Sequence, residues 1–129
     1  MENTRRKIIL VDDIKSNLDQ GKAILNPYYQ VYPAPSAEKL FQHLEKIIPD
    51  LILLDIEMPE MNGYEALKKL KADERYSDIP VIFLTAKSEE DSVHEGSTLG
   101  AAGCVTKPFS TSQLLECIEN SISLRVQSS

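Results

Sequence analysis

Leu51-Ile52-Leu53-Leu54 is a short run with no polar residue on either face of an extended chain, and it closes on a carboxylate, Asp55. A strand with one wet face alternates apolar and polar residues. An unbroken aliphatic run therefore belongs at the centre of a sheet covered on both sides. Ile8-Ile9-Leu10-Val11 and Val81-Ile82-Phe83-Leu84 repeat the pattern. Each run is too short for a stable helix, so strands are the only economical reading. A carboxylate at the end of such a strand is costly unless a cation or a set of donors meets it.

Between the apolar runs lie longer stretches with helical spacing. Lys7 to Val11 is the first strand, and Ser16 to Asn26 reads as a helix on Leu18, Ile24 and Leu25, stopped by Asn26-Pro27. Tyr28 to Tyr32 reads as a second, more exposed strand at an edge of the sheet. Ser36 is an N-cap for a helix whose apolar face is Ala37, Leu40, Phe41, Leu44, Ile47 and Ile48, ended by Pro49. Asp50 to Leu54 is the third strand. Pro59 to Gly63 is a loop, and Tyr64, Leu67 and Leu70 place the next helix.

Val81 to Leu84, stopping at Thr85, is the fourth strand. Ser88 with Asp91 resembles a capping box for a helix reaching Leu99, with Gly100 as its stop. Ser92, His94, Gly96, Ser97 and Thr98 are weak helix formers, so this helix is expected to be the softest. Gly103 to Thr106 is the fifth strand. A last helix begins at Ser110 and Gln113 and turns Leu114, Leu115, Ile118, Ile122 and Val126 inward. Five βα units imply a parallel sheet with helices on both faces. At 129 residues, with no linker or repeat, the expectation is a single domain over 1–129.

The balance of 14 Lys+Arg against 20 Asp+Glu gives a net charge of −6, which argues against direct nucleic-acid binding by bulk electrostatics. No apolar run has the length of a membrane span, and no signal peptide precedes the first strand. Cys104 and Cys117 have no metal-ligand spacing and read as reduced thiols, which places the chain in the cytoplasm. His43 and His94 read as surface residues, and Met58 and Met61 as packing residues.

The polar residues that interrupt the apolar runs all fall at strand ends. Asp12 and Asp13 follow the first strand, Asp55 ends the third, Thr85 the fourth and Lys107 the fifth. Open α/β sheets bind ligands outside the carboxyl ends of their strands. Crowded carboxylates repel one another unless a divalent cation neutralises them, and an all-oxygen ligand set favours Mg2+. One carboxylate can then act as nucleophile toward a phosphoryl donor. The charge on the transferring oxygens calls for a fixed cation and a hydroxyl, the roles read for Lys107 and Thr85.

These stretches resemble the receiver domain of two-component response regulators. The matching segments are Ile9-Leu10-Val11-Asp12-Asp13, Leu54 through Gly63, Pro80 through Ala86, and Thr106-Lys107-Pro108-Phe109, and the resemblance covers about Lys7 to Ile122. It implies a flavodoxin-like (βα)5 fold with sheet order 2-1-3-4-5. It also implies that Asp55 accepts a phosphoryl group from a histidine kinase or phosphotransfer protein. Asp13, Asp55 and the backbone carbonyl of Glu57 would ligate Mg2+, with Asp12 acting through water. Thr85 would bind a phosphoryl oxygen, Lys107 would pair with the phosphoryl group, and Pro108 would be the family's cis proline.

Cys104 departs from the pattern. The family usually carries Tyr or Phe at this position, three residues before the lysine, as a ring that switches with the threonine. A thiol cannot swing a ring toward Thr85, so the signal is expected to pass through the loop after Thr85 and the helix from Ser88 to Leu99. Glu57 and Lys87, two residues after Asp55 and Thr85, flank the site and are expected to tune the lifetime of the phosphoryl group.

The implied protein is a stoichiometric phosphoacceptor, not an enzyme, whose output is a changed surface for an effector protein or domain. A constitutive interaction module of the same fold and an aspartyl-nucleophile phosphatase are the alternatives. The phosphatase reading lacks a D-x-D segment and a cap domain. A flavin protein would need a hydroxyl- and glycine-rich loop where Asp12-Asp13 stands.

Overall fold

The computed structural model describes residues 6–56, 58, 60–86, 103–107 and 110–128, with the backbone alone for Thr85, Ala86, Cys104, Thr106, Lys107 and residues 123–128. Its strands are β1 (Lys7–Val11), β2 (Gln30–Ala34), β3 (Leu51–Asp55), β4 (Val81–Ala86) and β5 (Gly103–Lys107). Its helices are α1 (Lys15–Leu25), α2 (Ala37–Leu44), α3 (Gly63–Ala72) and α4 (Thr111–Ser128). The sheet runs β2-β1-β3-β4-β5, and every pairing is parallel. This is the flavodoxin-like order expected from the sequence.

Two cores explain why the central strands carry no polar residue. Ile9, Val11, Ile52, Leu54, Val81 and Phe83 point to one face and pack against Leu40 and Leu44 of α2 and Ala66, Leu67 and Leu70 of α3. Ile8, Leu10, Leu51, Leu53, Ile82, Leu84 and Val105 point to the other, against Leu18 and Leu25 of α1 and Leu114, Ile118 and Ile122 of α4. Successive strand residues face opposite sides, so both registers must be aliphatic. Each fully buried Leu or Ile contributes about 1.5–3 kcal/mol of transfer free energy.

Local structure departs from expectation at three places. β2 starts at Gln30, two residues late, because the amides of Tyr28 and Tyr29 both donate to the Leu25 carbonyl and finish α1 as a turn. Pro33 is tolerated in β2 because this is an edge strand. α2 ends at Leu44, not at Ile48: the amides of Lys46 and Ile47 both return to the His43 carbonyl, and Ile48 is left 53% exposed. His43 is half-buried, not a surface residue, with Nε2 2.9 Å from the Pro33 carbonyl oxygen and its ring edge-on to Tyr32. Met58 is buried and Met61 packs against the core, as expected. His94 and the helix expected from Ser88 to Leu99 lie outside the described residues.

Tyr29 ties the end of α1 to the second core. Burial first, then the charge of Glu119 on α4, pushes its phenol above the ordinary value, with Arg6 acting in the opposite sense. A raised folded-state value means that the neutral phenol favours the fold. That stability is present below the unfolded pKa of about 10 and is lost as pH rises through the higher folded value. Urea midpoints should therefore fall above about pH 10, and Tyr29→Phe should flatten this alkaline slope. An unchanged slope in Tyr29→Phe would remove Tyr29 as its source.

Candidate functional site at the carboxyl edge of the sheet

β1 and β3 are adjacent and in register, Val11 opposite Leu54, so the residues that follow them emerge side by side. Asp12 extends β1 by one bond, its amide donating 3.0 Å to the Ala34 carbonyl of β2. Its Oδ1 then accepts from the Ile14 amide at 3.0 Å and from the Asn17 side chain at 3.4 Å. These bonds hold the turn into α1, whose N-cap, Ile14, has no capping side chain of its own. Asn17 was not singled out in the sequence. Its position on the first turn after the acid pair was the available signal.

Asp55 closes β3 opposite Leu84 of β4. Asp12 is fully buried, Asp55 is 4% exposed and Asp13 faces solvent. One carboxylate oxygen from each of Asp12, Asp13 and Asp55 lies within 4.8 Å of the others. Three acids from two strand ends thus converge on one spot.

The chain after Asp55 is held close to it. The Gly63 amide donates 2.8 Å to the Ile56 carbonyl, bringing the first residue of α3 against the backbone of the strand end. A Cβ at Gly63 would lie 2.5 Å from the Asp55 carbonyl oxygen and 2.9 Å from the Ile56 Cα. A reciprocal capping box fixes this start: Asn62 accepts from the Glu65 amide and Glu65 accepts from the Asn62 amide, both at 2.9 Å. The sequence reading missed the box, although Asn-x-x-Glu is its ordinary signature.

Thr85 stands one residue beyond Leu84, and hence one step beyond the level of Asp55, paired with Thr106. Lys107 is paired with Ala86 at the end of β5. Both therefore lie at the same carboxyl edge as the acids, on the next two strands. Cys104 is paired with Phe83, whose ring meets Tyr64 of α3 edge-on at 5.2 Å. Glu57, Lys87 and Pro108 lie outside the described residues.

The donor set suits a small hard cation. All donors are oxygen, two of the three acids are withdrawn from water, and their oxygens lie close enough together for one divalent ion to neutralise them. Among the described residues no helix is long and apolar enough to cross a membrane.

Comparison with known proteins identifies the family. The chain is 51% identical over 111 residues to the phosphate regulon transcriptional regulatory protein PhoB of Pseudomonas aeruginosa, covering 85% of this chain and 48% of that one. It is 31% identical over 124 residues to the response regulator Rre1 of Synechocystis, covering 95% of this chain and 54% of the relative. The chain thus spans about half the length of these curated relatives. The chemotaxis response regulator CheY4 of Vibrio cholerae superposes with a TM-score of 0.84 at 28% identity, over 92% of this chain and 99% of that one. Residues 8–119 match the response regulator receiver domain, and the chain belongs to that family.

Proposed function

We propose that the chain is the phosphoacceptor of a two-component phosphorelay, with Asp55 as the acceptor. The observation that carries this reading is the convergence of Asp12, Asp13 and Asp55 within 4.8 Å at the sheet edge where Thr85 and Lys107 also lie. An Asp55 carboxylate oxygen attacks the phosphorus of a kinase or phosphotransfer phosphohistidine. The P–N bond breaks as the P–O bond forms, and the imidazole leaves with the electron pair and takes up a proton. Thr85 donates its hydroxyl to a phosphoryl oxygen, and Lys107 balances the charge on the group.

The receiver family binds Mg2+ at an aspartate cluster. Asp13, Asp55 and the Glu57 carbonyl would hold the ion here, with Asp12 acting through water. When bound, Mg2+ neutralises the acids and the phosphoryl oxygens. Hydrolysis of the acyl phosphate by water releases inorganic phosphate and restores the Asp55 carboxylate, which resets the protein. We take the domain to occupy the whole of 1–129 and to act in the cytoplasm. Its partners are a histidine kinase or phosphotransfer protein upstream and an effector protein or domain downstream.

Incubation with Mg2+ and a small phosphodonor, read by intact mass, should show one phosphoryl adduct that does not form when EDTA replaces Mg2+. No adduct in the presence of Mg2+ would overturn the proposal. A Glu57–Lys87 pair across the mouth of the site would hinder the attacking water. Glu57→Ala or Lys87→Ala should therefore change the dephosphorylation rate, and unchanged rates in both would reject that role. With Cys104 in the switch position, phosphorylation should alter amide exchange in the segment from Ser88 to Leu99.

A further inference from the structure

α2 and α3 lie on the same face of the sheet and share one core, and a groove of about 760 Å3 runs between them. Its apolar floor includes Phe41 and Met61, both partly exposed hydrophobics packed on that core. Around the floor stand four glutamates against one lysine, Lys69.

Two of those glutamates have ordinary local reasons. Glu38 lies in the first turn of α2 and Glu65 completes the capping box of α3, both at the positive ends of helices. Glu45 and Glu60 do not. Glu45 is the C-cap of α2, where the helix dipole disfavours a negative charge. Glu60 has φ +69°, a left-handed conformation that a residue with a side chain adopts at a cost. Both are exposed, and among the described residues neither forms an ion pair.

The groove continues past Phe41, Glu45 and Lys69 into a second hollow of about 750 Å3 that ends at Arg75 and Tyr76. There the Arg75 guanidinium is held by Asp73 at 2.8 Å and lies over the Tyr76 ring. That arginine is held chiefly by Asp73, with only a weaker long-range attraction to Glu45, and it forms no ion pair with the acids of the first hollow among the described residues.

We propose that the α2–α3 groove docks a cationic amphipathic segment of a partner protein, with an apolar side chain seated on Phe41 and Met61 and flanking Lys or Arg side chains facing Glu45 and Glu60. Charge complementarity selects this occupant. An acidic segment would be repelled, and a purely apolar one would leave the rim acids desolvated without partners. Glu60 and Met61 belong to the loop that leaves Asp55, so the segment would lie beside the phosphoacceptor strand end.

Random peptides displayed on phage and selected on the full chain provide the test, with counter-selection on a Glu45→Lys/Glu60→Lys double variant. Both positions are exposed and a lysine suits the C-cap of α2, so the double variant should melt no lower than the wild type. Enriched peptides should carry Lys or Arg around a single apolar anchor. They should bind the double variant at least roughly tenfold more weakly. Met61→Ala should weaken them independently of charge. Enrichment of acidic or uncharged peptides, no enrichment, or equal binding to wild type and double variant would each overturn the proposal. So would a self-association of the chain in sedimentation that the double variant abolishes, since the occupant would then be a second copy.

Discussion

A chain carrying Asp55→Asn should acquire no phosphoryl group from a small donor in Mg2+, while Asp13→Asn should react slowly and need far more Mg2+. Asp13→Asn removes a metal ligand alone, whereas Asp55→Asn removes the nucleophile together with a ligand, and intact mass over time reads both. A carboxamide at residue 55 has no anionic oxygen to attack phosphorus, so its loss should be complete. A phosphoryl adduct of wild-type size on Asp55→Asn would remove Asp55 from the acceptor role.

Asp13→Asn also has a stability signature that a bystander acid would lack. Two unit charges at the outer limit of 4.8 Å repel by roughly 3 kcal/mol at an effective dielectric constant of about 20. Because Asp13 faces solvent, screening reduces this to about 1 kcal/mol. In EDTA, Asp13→Asn should therefore be more stable than wild type by about that amount. Mg2+ at about a hundredfold excess over its dissociation constant should stabilise the wild type by about 2.7 kcal/mol. The variant should gain much less at the same concentration. Urea melts with and without Mg2+ measure both quantities, and an equal Mg2+ response in the two chains would discard Asp13 as a ligand.

Gly63→Ala should destabilise the fold by about 2–3 kcal/mol, against the trend of helix propensity. Alanine is preferred over glycine in a helix by about 1 kcal/mol, so open space at this position would give a gain. The added methyl instead meets two backbone atoms, the Asp55 carbonyl oxygen at 2.5 Å and the Ile56 Cα at 2.9 Å. Neither can move away by a rotamer change, so α3 or the strand end must shift. A displacement of about 1 Å at a reacting carboxylate can cost roughly a hundredfold in rate. Phosphorylation of Gly63→Ala should thus slow markedly in the population that remains folded. A stabilised Gly63→Ala with an unchanged rate would show that the close approach does not constrain Asp55.

Much of this arrangement was legible along the chain, for identifiable reasons. Residues 51–54 and 81–84 had to be central strands because no polar residue gave them a wet face, and both are fully lined by core. Where expectation slipped, a local signal was outweighed by packing. Tyr28 and Tyr29 look like strand residues, yet Tyr29 is drawn under α1 and the strand begins after it. Ile47 and Ile48 continue the helical spacing of α2, yet the chain must turn there to enter β3, where the Asp50 amide joins the Lys7 carbonyl.

The sequence by itself determined the alternation of strands and helices, the burial of the central strands on both faces, and the delivery of Asp12, Asp13, Asp55, Thr85 and Lys107 to strand ends. Those properties follow from side-chain period and run length, which are local to the chain. Only the tertiary structure decided that three carboxylates meet within 4.8 Å, that Gly63 presses on the Asp55 backbone, and that Glu45 and Glu60 face one apolar groove. Each of these is a distance between segments far apart in the chain. Such distances are set by sheet register and by how helices seat on the sheet, and no periodicity within one segment encodes them.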